Sequence, residues 1–206
     1  MSIVKLNNQG VKNATAFGSI TGLGSMIFIK KLTASSSATL SFVDGSDGVV
    51  LDDTYKEYVF TFNNMHPATD NVEFSFQANV SGGSGYNETV TSTMFYAHHQ
   101  EDDGGAGLGY STSGDQAQGT NFIKLGLSLG NDNDQSLSGT LQLFNPSSTT
   151  FVKHFMARCN YAHPSNISEE DNKAGYFNTT SAIDEIQFKM SSGNIDAGDI
   201  CLYGIA

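Results

Sequence analysis

The chain has 206 residues, 38% of them hydrophobic, and this length suits one all-β domain. Its 21 Asp and Glu outnumber 10 Lys and Arg, so the net charge is −11, and Arg158 is the only arginine. Phosphate backbones and anionic lipids are held by clustered Arg and Lys, which excludes nucleic acid and membrane surfaces as partners.

Residues 1–24 are small, polar and punctuated by Gly10, Gly18, Gly22 and Gly24. They show no amphipathic period and are predicted to form an N-terminal arm or extended leading segment, either a frayed terminus or a segment that orders on a neighbouring subunit. No secretory leader is predicted, because Asn7, Asn8, Gln9 and Gly10 stand where an apolar core would follow Met1 to Lys5. The five Asn-x-Ser/Thr triplets, at Asn13, Asn79, Asn87, Asn166 and Asn178, follow from a composition rich in these residues.

Residues 25–206 are predicted to form a single β-sandwich domain. Met26 to Ile29 is a short apolar run, and Leu40 and Phe42 alternate with Ser41. Asp44-Gly45-Ser46-Asp47-Gly48 is a turn cluster. Tyr58, Phe60 and Phe62 alternate with Val59 and Thr61, as Phe74 and Phe76 do with Ser75 and Gln77. This period of two is that of a strand with one buried face. Thr91 to His98 and Phe122 to Leu129 predict two further strands, and Pro146 falls between the next two, where proline belongs. Residues 101–119 and 160–174 are expected to be polar loops that cross between sheets, with Tyr176-Phe177 beginning a short strand. Ile186, Phe188 and Met190 alternate with Gln187 and Lys189, and Asp199 to Ile205 forms a last strand that ends inside a sheet. No window carries apolar residues at helical spacing. The expected fold is all-β: an antiparallel, jelly-roll-like β-sandwich of ten or more strands.

Candidate chemistry is sparse. His98 and His99, followed by Glu101, Asp102 and Asp103, are adjacent on a strand and so point to opposite faces, which disfavours a shared metal. The Asn131-Asp132-Asn133-Asp134 turn has oxygen ligands but lacks the spacing, the glycine and the bidentate Glu of an EF-hand. Asp196 and Asp199 flank Gly198 and are expected in a tight hairpin. Cys159 and Cys201 are expected as buried thiols, with a disulfide between them as the alternative. No serine sits in a G-x-S-x-G elbow, and no Gly-rich phosphate loop precedes a helix. No catalytic residue, metal ligand or cofactor is therefore assigned. Tyr110 and Asp132 are the candidate contacts for a glycan, since an exposed ring and an acidic turn suit a sugar.

Four stretches carry a resemblance. They are Thr33-Ala34-Ser35-Ser36-Ser37-Ala38-Thr39-Leu40-Ser41-Phe42, Tyr55-Lys56-Glu57-Tyr58-Val59-Phe60, Gln142-Leu143-Phe144-Asn145-Pro146 continuing to His154, and Ser192-Gly193-Asn194 continuing through Leu202-Tyr203-Gly204-Ile205. In these the chain resembles structural proteins of marine tailed bacteriophages, most firmly from residue 33 to the end. The resemblance implies a lectin-like or jelly-roll sandwich in the virion, synthesised in the host bacterial cytoplasm. It implies a capsid decoration or tail-fibre component that self-associates, with major capsid or tail proteins as partners. It carries no catalytic residues. The alternatives are a module that binds host surface glycans and, third, a tail-associated glycan-degrading enzyme.

Overall fold

The computed structural model describes residues 25–206; the expected arm, residues 1–24, lies outside them. Thirteen strands and no helix are found among the described residues. All named pairings are antiparallel. They form two sheets packed face to face.

The larger sheet contains β1 (Met26–Thr33), β3 (Glu57–Pro67), β5 (Val90–Gln100), β6 (Ala106–Tyr110), β7 (Gln116–Gly119), β9 (Leu137–Phe144), β10 (Lys153–His163), β11 (Ile167–Phe177) and β13 (Ile195–Ile205). Its order is β1-β13-β3-β9-β10-β11-β5-β6, with β7 pairing β5 beside β6. The smaller sheet is β2 (Leu40–Val43), β12 (Ile183–Met190), β4 (Val72–Val80) and β8 (Ile123–Leu129), in the order β2-β12-β4-β8. The chain changes sheet at every connection except within β5–β7 and within β9–β11.

The core is aromatic. Phe42, Phe60, Phe74, Phe76 and Phe188 are fully buried, and Phe62 is 1% exposed. Phe188 is the centre of the cluster, with ring centroids of Phe60 and Phe62 at 5.4 Å, Phe74 at 6.0 Å, and Phe42 and Phe76 at 6.2 Å. Most of these contacts are edge-to-face, the geometry the ring quadrupole favours. Alternation along each strand puts these rings on the facing pleats, so few but large side chains fill the space between the sheets.

The last strand lies between β1 and β3, so the chain does end inside a sheet. Gly198 lies in β13 at a double register shift against β3 and has φ +120. A Cβ there would lie 2.7 Å from the Asn64 carbonyl oxygen and 2.8 Å from Met65 Cα. Only glycine tolerates this close approach.

Several local expectations are corrected. Residues 160–174 are not a loop: they comprise the end of β10 and most of β11, joined by a short turn. Residues 101–119 contain β6 and β7. Neither segment crosses between sheets; both belong to the two stretches that stay in the larger one. Tyr176 and Phe177 end β11 instead of starting a strand. β12 and β13 lie in different sheets, so Asp196 and Asp199 belong to the bulged strand β13 and not to a hairpin.

A candidate binding face on the larger sheet

Strand register fixes which side chains share the outer face of the larger sheet. One row across it reads Phe28, Tyr203, Val59, Gln142, Met156, Ala174 and Thr93. A parallel row reads Thr61, Thr140, Arg158, Asn172, Phe95 and Tyr110. Alternation puts these residues opposite the core, as the strictly alternating burial of β10 shows.

Seven large hydrophobic side chains are exposed among the described residues: Met26, Phe28, Phe95, Leu108, Tyr110, Phe151 and Met156. Six of them lie on strands of the larger sheet and on this outer face; the seventh, Phe151, lies two residues before β10. They are spread from β1 at one edge of the sheet, through Met156 and Phe95, to β6 at the other.

Two adjoining grooves cut this face. The first, about 480 Å³, has walls formed by Phe144, His154, Met156 and Tyr176 over a floor of Ala174 and Gly175. The second, about 250 Å³, lies beside it and is lined by Phe95, Thr140, Gln142, Arg158 and Asn172, among others. The two share Thr93, Met156 and Ala174. Short side chains between long neighbours create the depression.

The second groove holds an ordered polar group. Arg158 Nε donates to Glu170 Oε1 at 2.7 Å and its Nη2 donates to Glu170 Oε2 at 2.9 Å. Asn172 Nδ2 donates to the same Oε1 at 3.0 Å. These bonds hold the Glu170 carboxyl below its ordinary pKa and raise that of the Arg158 guanidinium. Gln142 is oriented by donation to Glu57 Oε1 at 2.9 Å. Arg158 and Gln142 are thus each bonded to a neighbouring strand, and Asn172 to Glu170 on its own strand.

The opposite side of the same strands holds buried charge. Asp171 and Lys173 are 1% and 4% exposed, on the inner face of β11. Neither oxygen of Asp171 has a hydrogen-bond partner. Burial, and then the charge of Glu169, push its carboxyl up to about 7. Burial pushes Lys173 down to about 8, against the opposing pull of Asp171. Its Nζ donates to the Gly114 carbonyl at 2.5 Å, which ties the β6–β7 connection to β11. Cys159 and Cys201 are buried and unbonded, and burial raises the Cys159 thiol.

The residues singled out from the sequence are dispersed. Tyr110 lies on the outer face, in register with Phe95 and hydrogen-bonded to Asp115 at 2.6 Å. That bond raises the tyrosine's pKa. Asp132 lies in the β8–β9 connection, where its N–H donates to Gln135 Oε1 at 3.1 Å. His98 and His99 do point to opposite sides: His98 stacks near Tyr96 at 5.9 Å, while His99 Nε2 lies 3.3 Å from Asp103. Among the described residues no group of three or more His, Cys, Asp or Glu is placed to hold a metal ion. Sequence reasoning missed Arg158, Glu170 and Asn172. Arg158 was legible as the only arginine, but its partners needed the β10–β11 pairing.

The fold is an antiparallel β-sandwich whose larger sheet carries two adjoining grooves on its outer face. No protein family, curated protein or solved structure matches the chain.

Proposed function

We propose that this chain is a non-enzymatic structural protein of a bacteriophage virion, exposed on the particle as a capsid decoration or a tail-fibre component. The observation that carries the reading is the gathering of exposed apolar side chains on one outer face. A protein surface built for assembly concentrates apolar and aromatic groups in this way. The resemblance of the four quoted stretches supplies the virion context. An acidic body also suits a component present at high local concentration, since like charge opposes nonspecific association.

The finer fold reading is a jelly roll. In support, β2-β12-β4-β8 faces β3-(β9–β11)-β5-β6, with β1 and β13 added at one edge. That is the order reached when a long antiparallel hairpin is wound into two sheets, with its seventh-strand position expanded here into the β9–β11 meander. The partners in this reading are major capsid or tail proteins and further copies of the chain, with residues 1–24 as the attachment.

Purified particles test the proposal. The protein is expected in them at fixed stoichiometry, with particle density locating it on head or tail. Its absence from particles would reject the virion role. A chain lacking residues 2–24 is expected to lose its place; full occupancy would reject the arm as anchor.

A second reading, a carbohydrate-binding module for host surface glycans, is favoured by one observation: the oriented Arg158–Glu170–Asn172 group beside the exposed Phe95 ring.

A further inference from the structure

The second groove differs from an ordinary assembly surface in one respect. An assembly surface is depleted of charged groups at its centre, because burying them costs desolvation. Here an ion pair and two amide side chains occupy the middle of the face. The row Thr140, Arg158, Asn172, Phe95, Tyr110 runs across five adjacent strands, with side chains repeating at about 4.8 Å.

Arg158 spends two N–H groups on Glu170, and a guanidinium has about five. The remaining donors are held in a fixed plane by the bidentate pair. Asn172 donates from its amide nitrogen and keeps its carbonyl oxygen as an acceptor. Thr140 adds a hydroxyl, and Gln142 is oriented by Glu57. Phe95, 51% exposed, offers a flat apolar ring on the next strand. Adjacent hydroxyls are met by planar donors and acceptors, while a face of C–H groups is met by an aromatic ring. A pyranose presents both. The partners are already ordered by one another, which lowers the entropy lost on binding.

Charge narrows the class further. Arg158, which lines the groove, is neutralised by Glu170 beside it, and the chain carries −11 overall. An anionic ligand would meet net repulsion, whereas an uncharged one would meet none.

We propose that the groove lined by Phe95, Thr140, Gln142, Arg158 and Asn172 binds one sugar unit of a neutral glycan. Phe95 stacks on the ring and Arg158 and Asn172 bond its hydroxyls. The adjoining groove, walled by His154, Met156 and Tyr176, takes the next unit. This deepens the glycan-binding reading and does not depend on where the protein is placed in a particle. Its test uses purified full-length chain alone, so a failure here leaves the virion test untouched.

The probe is an array of neutral oligosaccharides of glucose, galactose, mannose, fucose and N-acetylhexosamines, printed beside sialylated and sulfated counterparts. Neutral members that bind are then titrated by calorimetry. Wild type is expected to bind a neutral member, and Phe95→Ala and Arg158→Ala each to weaken it by about tenfold or more. Phe95→Tyr should restore binding, and Lys124→Ala on the smaller sheet should leave it unchanged. Both alanine variants alter exposed side chains, and unchanged circular dichroism will show that they fold. The proposal is overturned by no binding to any neutral member, by binding confined to anionic members, or by both variants binding as wild type does. It is also overturned if wild type sediments as a dimer that Met156→Glu splits, which would assign the face to a second copy.

Discussion

The two outer faces of this sandwich are made from the same strand alternation, yet they have opposite finish. On the smaller sheet the outward side chains are Ser41, Glu73, Ser75, Gln77, Asn79, Glu185, Gln187 and Lys189; all but Asn79, whose Oδ1 has no partner, contact one another or covering loops, around a groove of about 420 Å³ bounded by Glu73, Phe122 and Lys124. Gln77 Nε2 alone reaches the carbonyls of Glu88, Thr120 and Asn121, at 3.2, 3.2 and 3.0 Å. Tyr86 bonds Glu185 at 2.7 Å, Gln187 bonds Ser41 at 3.0 Å, and Lys124 pairs with Glu73 at 2.7 Å. Lys189 Nζ lies 4.2 Å above the Phe122 ring. Among the described residues no loop covers the centre of the larger sheet in this way. Its rings and its Arg158–Glu170 pair stand open beside two grooves. A surface saturated by its own loops contributes to stability, and one left open is available for contact.

The comparison can be broken or sharpened by substitution. The largest effect is expected where both faces depend on the same core. Phe188→Ala removes a ring that touches five others and should cost about 3–5 kcal/mol in urea unfolding. A loss below about 1 kcal/mol would mean that the sheets do not share one packed interior.

Next comes the buried charge beneath the open face. Asp171 has its pKa raised from 3.8 to about 7, so the folded state holds its proton more tightly than the unfolded chain does. The sign follows: this group's contribution is fully present below 3.8 and is lost as pH rises to about 7. Asp171→Asn cannot titrate. Wild type should therefore lose stability relative to that variant across this window, on the order of 2 kcal/mol or more, as read from unfolding curves at stepped pH. Parallel curves for the two proteins would show that the Asp171 carboxyl is not proton-linked to folding.

The covered face should respond more than the open one. Gln77→Ala leaves three carbonyls without their shared donor and is expected to cost about 1–3 kcal/mol. Met156→Ala, at a side chain 54% exposed, is expected to change stability by no more than about 0.5 kcal/mol. The same chemical denaturation series checks both. Equal losses at the two sites would erase the distinction between the hydrogen-bonded face and the open one.

Legibility followed burial on one side of a strand. β3, β4 and β12 were plain in the sequence because Phe60, Phe76 and Phe188 alternate with polar residues that stay outside. β11 was hidden because its inner face carries Glu169, Asp171 and Lys173 where apolar residues would normally show the period. The short strands β6 and β7 are glycine-rich or polar and lie at the sheet edge, so they imitate a loop. β11 supplies Asn172 to the candidate groove and Glu170 beside it, which is why neither could be joined to Arg158 in advance.

What the amino-acid order determined unaided was the all-β class, the aromatic interior and the embedding of the last strand. These follow from a two-residue period, which is local and survives without knowledge of neighbours. Tertiary structure alone decided which connections cross between the sheets, which polar residues become buried, and which outward face the described residues leave uncovered. Those outcomes depend on pairing between strands far apart in the chain, and no local period records them.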